Sequence, residues 1–208
     1  MTTNDQPVVY VVDDDAAVRD ALCALIASVH LPVEAYESAE SFLAIMRPDL
    51  TGCLILDVRM PGMGGLDLQR LLKERGIDLP VIVITGHGDV PMAVRALKAG
   101  AVDFVEKPFN EQELLDRIHA SVAASVQARR QGNERSKAEK RFGKLTPREA
   151  EVLEMLVAGQ SSKRIATALG ISERTVDVHR FNIMRKCGAR NVAQLIRMRL
   201  MSSNRVEQ

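Results

Sequence analysis

Short apolar runs punctuate the first part of the chain, and between them apolar residues recur at helical spacing. Val8–Val12 is unbroken strand-former, and Leu54–Leu56 and Val81–Ile84 repeat the theme, with Val33–Tyr36 and Val102–Val105 as short mixed runs. Unbroken runs, rather than alternation, predict strands buried on both faces, as in a parallel sheet. Val18, Leu22, Leu25, Ile26 and Val29 fall on one helical face, as do Leu114, Leu115, Ile118 and Val122. Between these lie helices carrying Phe42, Leu43 and Met46 behind a Ser38 cap, Leu68, Leu71 and Leu72 closed by Gly76, and Met92 to Ala99 closed by Gly100. Five alternations of strand and helix predict an α/β fold with helices on both faces of a parallel sheet.

The pattern changes after residue 125. From 126 to 143 the chain is polar and charged, which reads as a solvated, partly helical linker; a surface helix continuing the preceding one is the alternative for its first half. The remainder, 144–208, is helical throughout. Thr146-Pro147-Arg148-Glu149 is a capping box, with the hydroxyl at N-cap and the carboxylate three residues on. Val152, Leu153, Leu156 and Val157 follow, and Gly159 stops the helix. A second helix from Ser162 carries Ile165, Ala166 and Leu169, a third runs from Glu173 to Cys187, and a fourth from Val192 to Met201 behind Asn191. The tight Gly170-Ile171-Ser172 turn between the second and third predicts a helix-turn-helix. The organisation is thus a domain at 1–125, a charged linker at 126–143, and an all-α domain at 144–208.

Charge sharpens this division. The formal net charge is only +1, yet residues 1–125 hold 10 Lys and Arg against 19 Asp and Glu, while 126–208 hold 18 against 8. An acidic half joined to a basic half implies different partners, and the basic half points to double-stranded nucleic acid. Three cysteines, odd in number and widely spaced in apolar surroundings, read as buried thiols. No signal peptide or membrane-length apolar run is read, so the expected location is cytoplasmic.

The strand ends carry the candidate chemistry. Asp13 and Asp14 follow the first strand, Asp57 ends the third, Thr85 the fourth, and Lys107 follows the fifth. Parallel strands bring their C-terminal ends to one edge, where ligands sit in open α/β sheets. Carboxylates gathered there repel, by about 4 kcal/mol for a pair 4 Å apart at an effective dielectric near 20. A hard divalent cation relieves that repulsion, and an all-oxygen site that keeps water suits Mg²⁺. With Lys107, the cation would neutralise a transferring phosphoryl group, for which Asp57 is the nucleophile. Thr85 would donate its hydroxyl to the new phosphoryl oxygens.

Val-Val-Asp13-Asp14-Asp15, Leu-Asp57-Val-Arg-Met-Pro-Gly, Ile-Thr85-Gly-His-Gly-Asp and Phe104-Val-Glu-Lys107-Pro-Phe together resemble the receiver domain of two-component response regulators, and the FixJ family in particular. The resemblance spans about residues 7–122 and implies a flavodoxin-like fold with strand order 2-1-3-4-5. It implies Asp57 as phosphoacceptor, Mg²⁺ on Asp14, Asp57 and the Arg59 carbonyl with Asp13 assisting, Lys107 on the phosphoryl group, and Thr85 and Phe104 as the switch pair. It also implies a cis Lys107–Pro108 peptide, and puts Arg59 and His87 where phosphoryl lifetime is tuned.

In the basic half, projecting the third helix at 100° per residue puts Val176, Ile183 and Cys187 on a buried stripe. Arg174, Asp177, Val178, Phe181, Asn182 and Arg185 occupy the opposite face. The second helix of such a motif enters the major groove. There Arg174 and Arg185 suit phosphate or guanine, Asn182 adenine, Asp177 cytosine N4, and Val178 or Phe181 a thymine methyl. Lys163 and Arg164 suit register-setting phosphate contacts. Leu145-Thr-Pro-Arg-Glu, Lys163-Arg-Ile-Ala, Leu-Gly-Ile-Ser172-Glu-Arg-Thr175-Val176 and His179 resemble the LuxR/NarL-type helix-turn-helix. That resemblance implies DNA binding as a dimer through the fourth helix, with Thr175 in the contact region. Some members carry lysines at the positions of Asp177 and Phe181, so no base preference is carried over.

The expected function is a transcriptional regulator switched by phosphorylation of Asp57. Its partners would be a sensor histidine kinase, promoter DNA, RNA polymerase and a second copy of the chain. It would be no enzyme beyond its own phosphorylation and dephosphorylation. The alternatives are an Mg²⁺-dependent phosphohydrolase using Asp57, against which Arg59 stands where a second acid is needed, and a phosphate sink without transcriptional output.

Overall fold

In the computed structural model, residues 6–47, 49–86 and 90–203 are described. The chain divides into two compact units at Arg129/Arg130. In the first, strands β1 (Val8–Val12), β2 (Val33–Tyr36), β3 (Gly52–Asp57), β4 (Val81–Thr85) and β5 (Asp103–Glu106) alternate with helices α1 (Ala16–Ser28), α2 (Ala39–Ile45), α3 (Gly65–Glu74), α4 (Val90–Lys98) and the part of α5 (Glu111–Phe142) that precedes the division. All pairings are parallel, in the order β2-β1-β3-β4-β5. This is the doubly wound, flavodoxin-like arrangement.

The unbroken apolar runs are the central strands. β1, β3 and β4 are buried at every position, whereas the edge strands β2 and β5 are not. Strand alternation divides the core between two faces. Tyr10, Val12, Leu54, Leu56 and Val83 pack with Phe42, Leu68, Leu72, Met92 and Ala96 from α2, α3 and α4. Val9, Val11, Ile55, Ile82 and Ile84 pack with Leu22, Ile26, Leu114 and Ile118 from α1 and α5. Each such side chain contributes about 1.5–3 kcal/mol on burial, so these two layers, rather than the polar strand ends, hold the sheet together.

Two readings change. The stretch after 125, read as a partly helical linker with a continuing helix as the alternative for its first half, is helical through Phe142. Its Gln, Ala, Arg, Lys and Glu residues are good helix formers, with Gly132 alone opposing them. Cys23 is partly exposed, while Cys53 and Cys187 are buried: it lies at the margin of the α1 face, one residue from buried Leu22.

The second unit contains α6 (Pro147–Val157), α7 (Ser162–Leu169), α8 (Glu173–Cys187) and α9 (Val192–Ser203). Thr146 and Glu149 close the expected capping box. Val152, Leu153, Leu156, Ile165, Val176, Ile183, Cys187 and Leu195 form the core, and the α8 stripe of Val176, Ile183 and Cys187 is fully buried. Gly170, in the left-handed region at φ +64°, ends α7 and makes the sharp turn into α8. Among the described residues, no helix is long and apolar enough to cross a membrane.

Candidate functional site

The strand ends converge as the topology requires. Asp13 carries on the parity of Val9 and Val11, Asp57 that of Cys53 and Ile55, and Lys107 that of Val105, so all three belong to the α1/α5 side of the sheet. The Lys107 N–H donates to the Thr85 carbonyl at 2.8 Å, which prolongs the β4–β5 ladder to the edge. The Lys107 ammonium then donates to Asp13 Oδ2 at 2.7 Å and to Asp57 Oδ1 at 3.0 Å. Both carboxylates are buried. Their remaining oxygens accept backbone donors: Asp13 Oδ1 from Asp15 N at 2.9 Å, and Asp57 Oδ2 from Arg59 N at 2.7 Å. Arg19 Nη1 donates to the Asp13 carbonyl at 2.7 Å. α3 starts directly against Asp57, because a Cβ on Gly65 would fall 2.1 Å from the Asp57 carbonyl oxygen.

Burial pushes the Asp57 carboxyl above the ordinary aspartate range. The Lys107 hydrogen bond and charge, with the Arg59 N–H, pull it back, while the Asp13 charge adds to the rise. For Lys107, burial opposes the ammonium, but the two carboxylates outweigh it and its pKa is raised. One cation thus stands between two anions, leaving an uncompensated negative charge at the sheet edge.

The other predicted site residues distribute around this core. Asp14 is exposed, and Asp15 caps α1 by accepting from Ala17 N and Val18 N. Thr85 is buried at the end of β4, and Phe104 is half-buried against the opposite face, where it pairs in register with Val83. The Lys107–Pro108 peptide is cis. Arg59 is exposed, and His87 lies outside the described residues. Among the described residues, no three His, Cys, Asp or Glu side chains form a metal-binding group. The available donors are oxygens of two buried carboxylates and a backbone loop, which is hard-cation chemistry and fits Mg²⁺ once water completes the shell. One contact was not read from the sequence: Glu40, in the first turn of α2, accepts from Met63 N at 3.1 Å. Its own N–H and that of Met63 hold this carboxyl below the usual glutamate range. An acid in a first helical turn is common, so nothing at sequence level singled it out.

In the second unit, Lys163, Arg164, Arg174, Thr175, Asp177, Val178, Phe181 and Arg185 are exposed, and Asn182 is half-buried. Val178 and Phe181 are 52% and 61% exposed, on the same helix whose other face is closed. The Arg185 guanidinium lies 6.0 Å from the Phe181 ring centroid. Thr175 takes part in the α8 cap, donating its N–H to Ser172 Oγ at 3.1 Å. Asp177 is tied to neighbours: its Oδ1 lies 3.4 Å from both Arg180 Nη1 and Ser162 Oγ, while Arg180 Nη1 donates to Ser162 Oγ at 2.9 Å. That small network joins α7 to α8. It was not anticipated, because Ser162 and Arg180 read as ordinary surface residues.

Residues 9–119 match the response regulator receiver domain, and residues 143–199 match the luxR family of bacterial regulatory proteins. The chain is 49% identical over 191 residues to the response regulator protein TodT of Pseudomonas putida, covering 92% of this chain and 84% of TodT. It is 47% identical over 194 residues to the transcriptional regulatory protein FixJ of Azorhizobium caulinodans, covering 93% and 92% of the two chains. The solved structure of the response regulator StyR matches with a TM-score of 0.83 at 45% identity, covering 94% of this chain and 98% of that one. The chain therefore belongs to the FixJ family of two-component response regulators, transcriptional regulators that join a receiver domain to a LuxR-type helix-turn-helix domain.

Proposed function

We propose that Asp57 is the phosphoacceptor of this regulator, and that its modification controls DNA binding by α8. The observation that carries the reading is the Lys107 ammonium held between the buried carboxylates of Asp13 and Asp57. Asp57 Oδ1, as Lys107 gives up its hydrogen bond to it, forms the new O–P bond while the P–N bond to a phosphohistidine of the sensor kinase breaks, and the imidazole nitrogen keeps the electron pair. Lys107 moves its hydrogen bond from carboxylate to phosphoryl oxygen and neutralises charge that develops there. Asp13, Asp14, Asp57 and the Arg59 carbonyl would hold Mg²⁺. When bound, the cation shields the carboxylates from the incoming phosphoryl group and stabilises its oxygens. Catalysis by the chain is confined to gaining and losing this group.

Thr85 reports the event by donating its hydroxyl to the phosphoryl group, and Phe104 moves inward with it. The surface of α4 and β5 then pairs two receivers. A shift from 1:99 to 99:1 between the two forms requires about 5.5 kcal/mol of differential stabilisation, within reach of a few new charge-assisted hydrogen bonds and one interface. The paired chains bind promoter DNA in the cytoplasm and engage RNA polymerase. Arg174, Thr175, Asp177, Val178, Phe181, Asn182 and Arg185 face the major groove, and Lys163 and Arg164 hold phosphates. The test is Asp57→Asn. With an acyl-phosphate donor and Mg²⁺, the variant takes up no phosphoryl group by mass spectrometry and shows no donor-dependent gain in DNA binding. Donor-dependent DNA binding that survives the substitution would refute this mechanism.

A further inference from the structure

We propose that Glu40 is a positioning residue for the Asp57 site: from α2 it holds the β3–α3 loop in the place that Mg²⁺ binding and phosphoryl transfer require. The inference rests on the reading of Asp57 as phosphoacceptor. The loop is fixed at three points. At its start, Arg59 N donates to Asp57 Oδ2 at 2.7 Å. At its end, Gly65 N donates to the Val58 carbonyl at 3.0 Å. Between these, Met63 N donates to Glu40 Oε1 at 3.1 Å, a contact across 23 residues of sequence. The neighbouring Gly62 has φ +75°, and a Cβ there would lie 3.0 Å from the same Glu40 oxygen. The Met63 N–H is thus satisfied by the carboxylate, and Gly62, where the left-handed φ favours glycine, leaves that carboxylate room.

The consequence runs through Arg59. Its N–H aims one Asp57 oxygen, and its carbonyl is the proposed backbone ligand of the cation. Groups that orient metal ligands from outside the coordination shell typically change affinity by about 10–100-fold when removed. Glu40 is exposed, so truncating it leaves both core layers intact, and its own long-range charge is weakened by solvent and salt. The hydrogen bond, rather than the charge, is the active element.

The test is a Mg²⁺ titration of the full chain, followed by the amide resonances of Asp57, Arg59 and Met63 and, separately, by phosphorylation with acetyl phosphate. Glu40→Ala raises the half-saturating Mg²⁺ concentration about tenfold and shifts the Arg59 amide, and saturating Mg²⁺ restores the phosphorylation rate. Glu40→Gln, which keeps an acceptor and drops the charge, stays near wild type. Gly62→Ala weakens Mg²⁺ binding in the same sense, and the effect shrinks in a Glu40→Ala background, where the oxygen it meets is gone. An unaltered Mg²⁺ titration in Glu40→Ala, or Glu40→Gln behaving like Glu40→Ala, overturns the proposal. Failure of the wild type to accept a phosphoryl group on Asp57 overturns the functional reading instead, and the amide titration separates the two.

Discussion

Asp57 and Glu149 are both buried carboxylates paired with a lysine, and their pKa values move in opposite directions. Asp57 meets Lys107 at 3.0 Å and is raised, with burial the leading cause. Glu149 meets Lys186 at 2.6 Å. Burial pushes it up as well, but Lys186 and the N–H and O–H of Thr146 outweigh that and leave it lowered. The difference is one of sharing. Lys107 is divided between Asp57 and Asp13, whereas the same Glu149 oxygen collects Lys186, Thr146 N and Thr146 Oγ1. Glu149 closes a helix end and binds α6 to α8; Asp57 is left short of positive charge, which a divalent cation would supply. A buried ion pair thus does not reveal by its presence whether it serves stability or chemistry.

Substitution at each carboxylate is the direct way to break this contrast. Glu149→Ala removes the capping-box acceptor and leaves Lys186 and the Thr146 N–H without their partner, at a cost of about 1–3 kcal/mol. Peptide-resolved hydrogen exchange on the full chain detects this as lower protection across α6 and α8. Asp57→Asn has the opposite sign. It removes one of the two anions competing for Lys107 and the charge that burial penalises, so protection in β1 and β3 rises. Loss of protection in β1 and β3 would mean that Asp57 is a stabilising residue like Glu149.

Titration separates the pair without mutation. A folded-state pKa above the unfolded value means that the folded receiver takes up a proton first as pH falls, so the cost carried by Asp57 at neutral pH is relieved on acidification through its raised range. Glu149 contributes stability above the unfolded glutamate range and loses it as pH falls through its lowered value. Hydrogen exchange corrected for intrinsic rates, at pH 7 and at the acid edge of folding, should show α6 and α8 losing protection relative to β1 and β3. Uniform loss across both units would erase the distinction.

Much of this was legible because the chain marks it with changes of pattern. Asp57 and Lys107 stand where unbroken strand-formers stop, and parallel topology alone brings such ends together. Val176, Ile183 and Cys187 declared the buried side of α8 by spacing, and Thr146 with Glu149 declared a helix start. What stayed hidden were contacts between residues ordinary in their own segments. Lys186 reaches Glu149 from 37 residues away, Glu40 reaches the loop beside Asp57, and Arg180 reaches Ser162. Each depends on how two elements pack, which periodicity within either element does not encode. The second half of the helix through 126–142 escaped for another reason. Its residues favour helix without an apolar stripe, and the polar composition that signals a linker also suits a solvated helix.

The smallest expected effect is the control that gives the contrast its meaning. Phe181 and Val178 are large apolar side chains left open to solvent on the face of α8 that its core does not use. If exposure there reflects a waiting surface, Phe181→Ala leaves stability within about 0.5 kcal/mol of wild type, as surface substitutions do. DNA affinity should nevertheless fall, because an apolar contact to a thymine methyl and the Arg185 stacking partner are lost together. The loss should concentrate at one position of sites selected from a random pool. Lys163→Ala should instead weaken all sequences alike and lower the salt slope by about 0.9. A Phe181→Ala chain that unfolds more readily, with unchanged site selection, would place Phe181 with the packing residues.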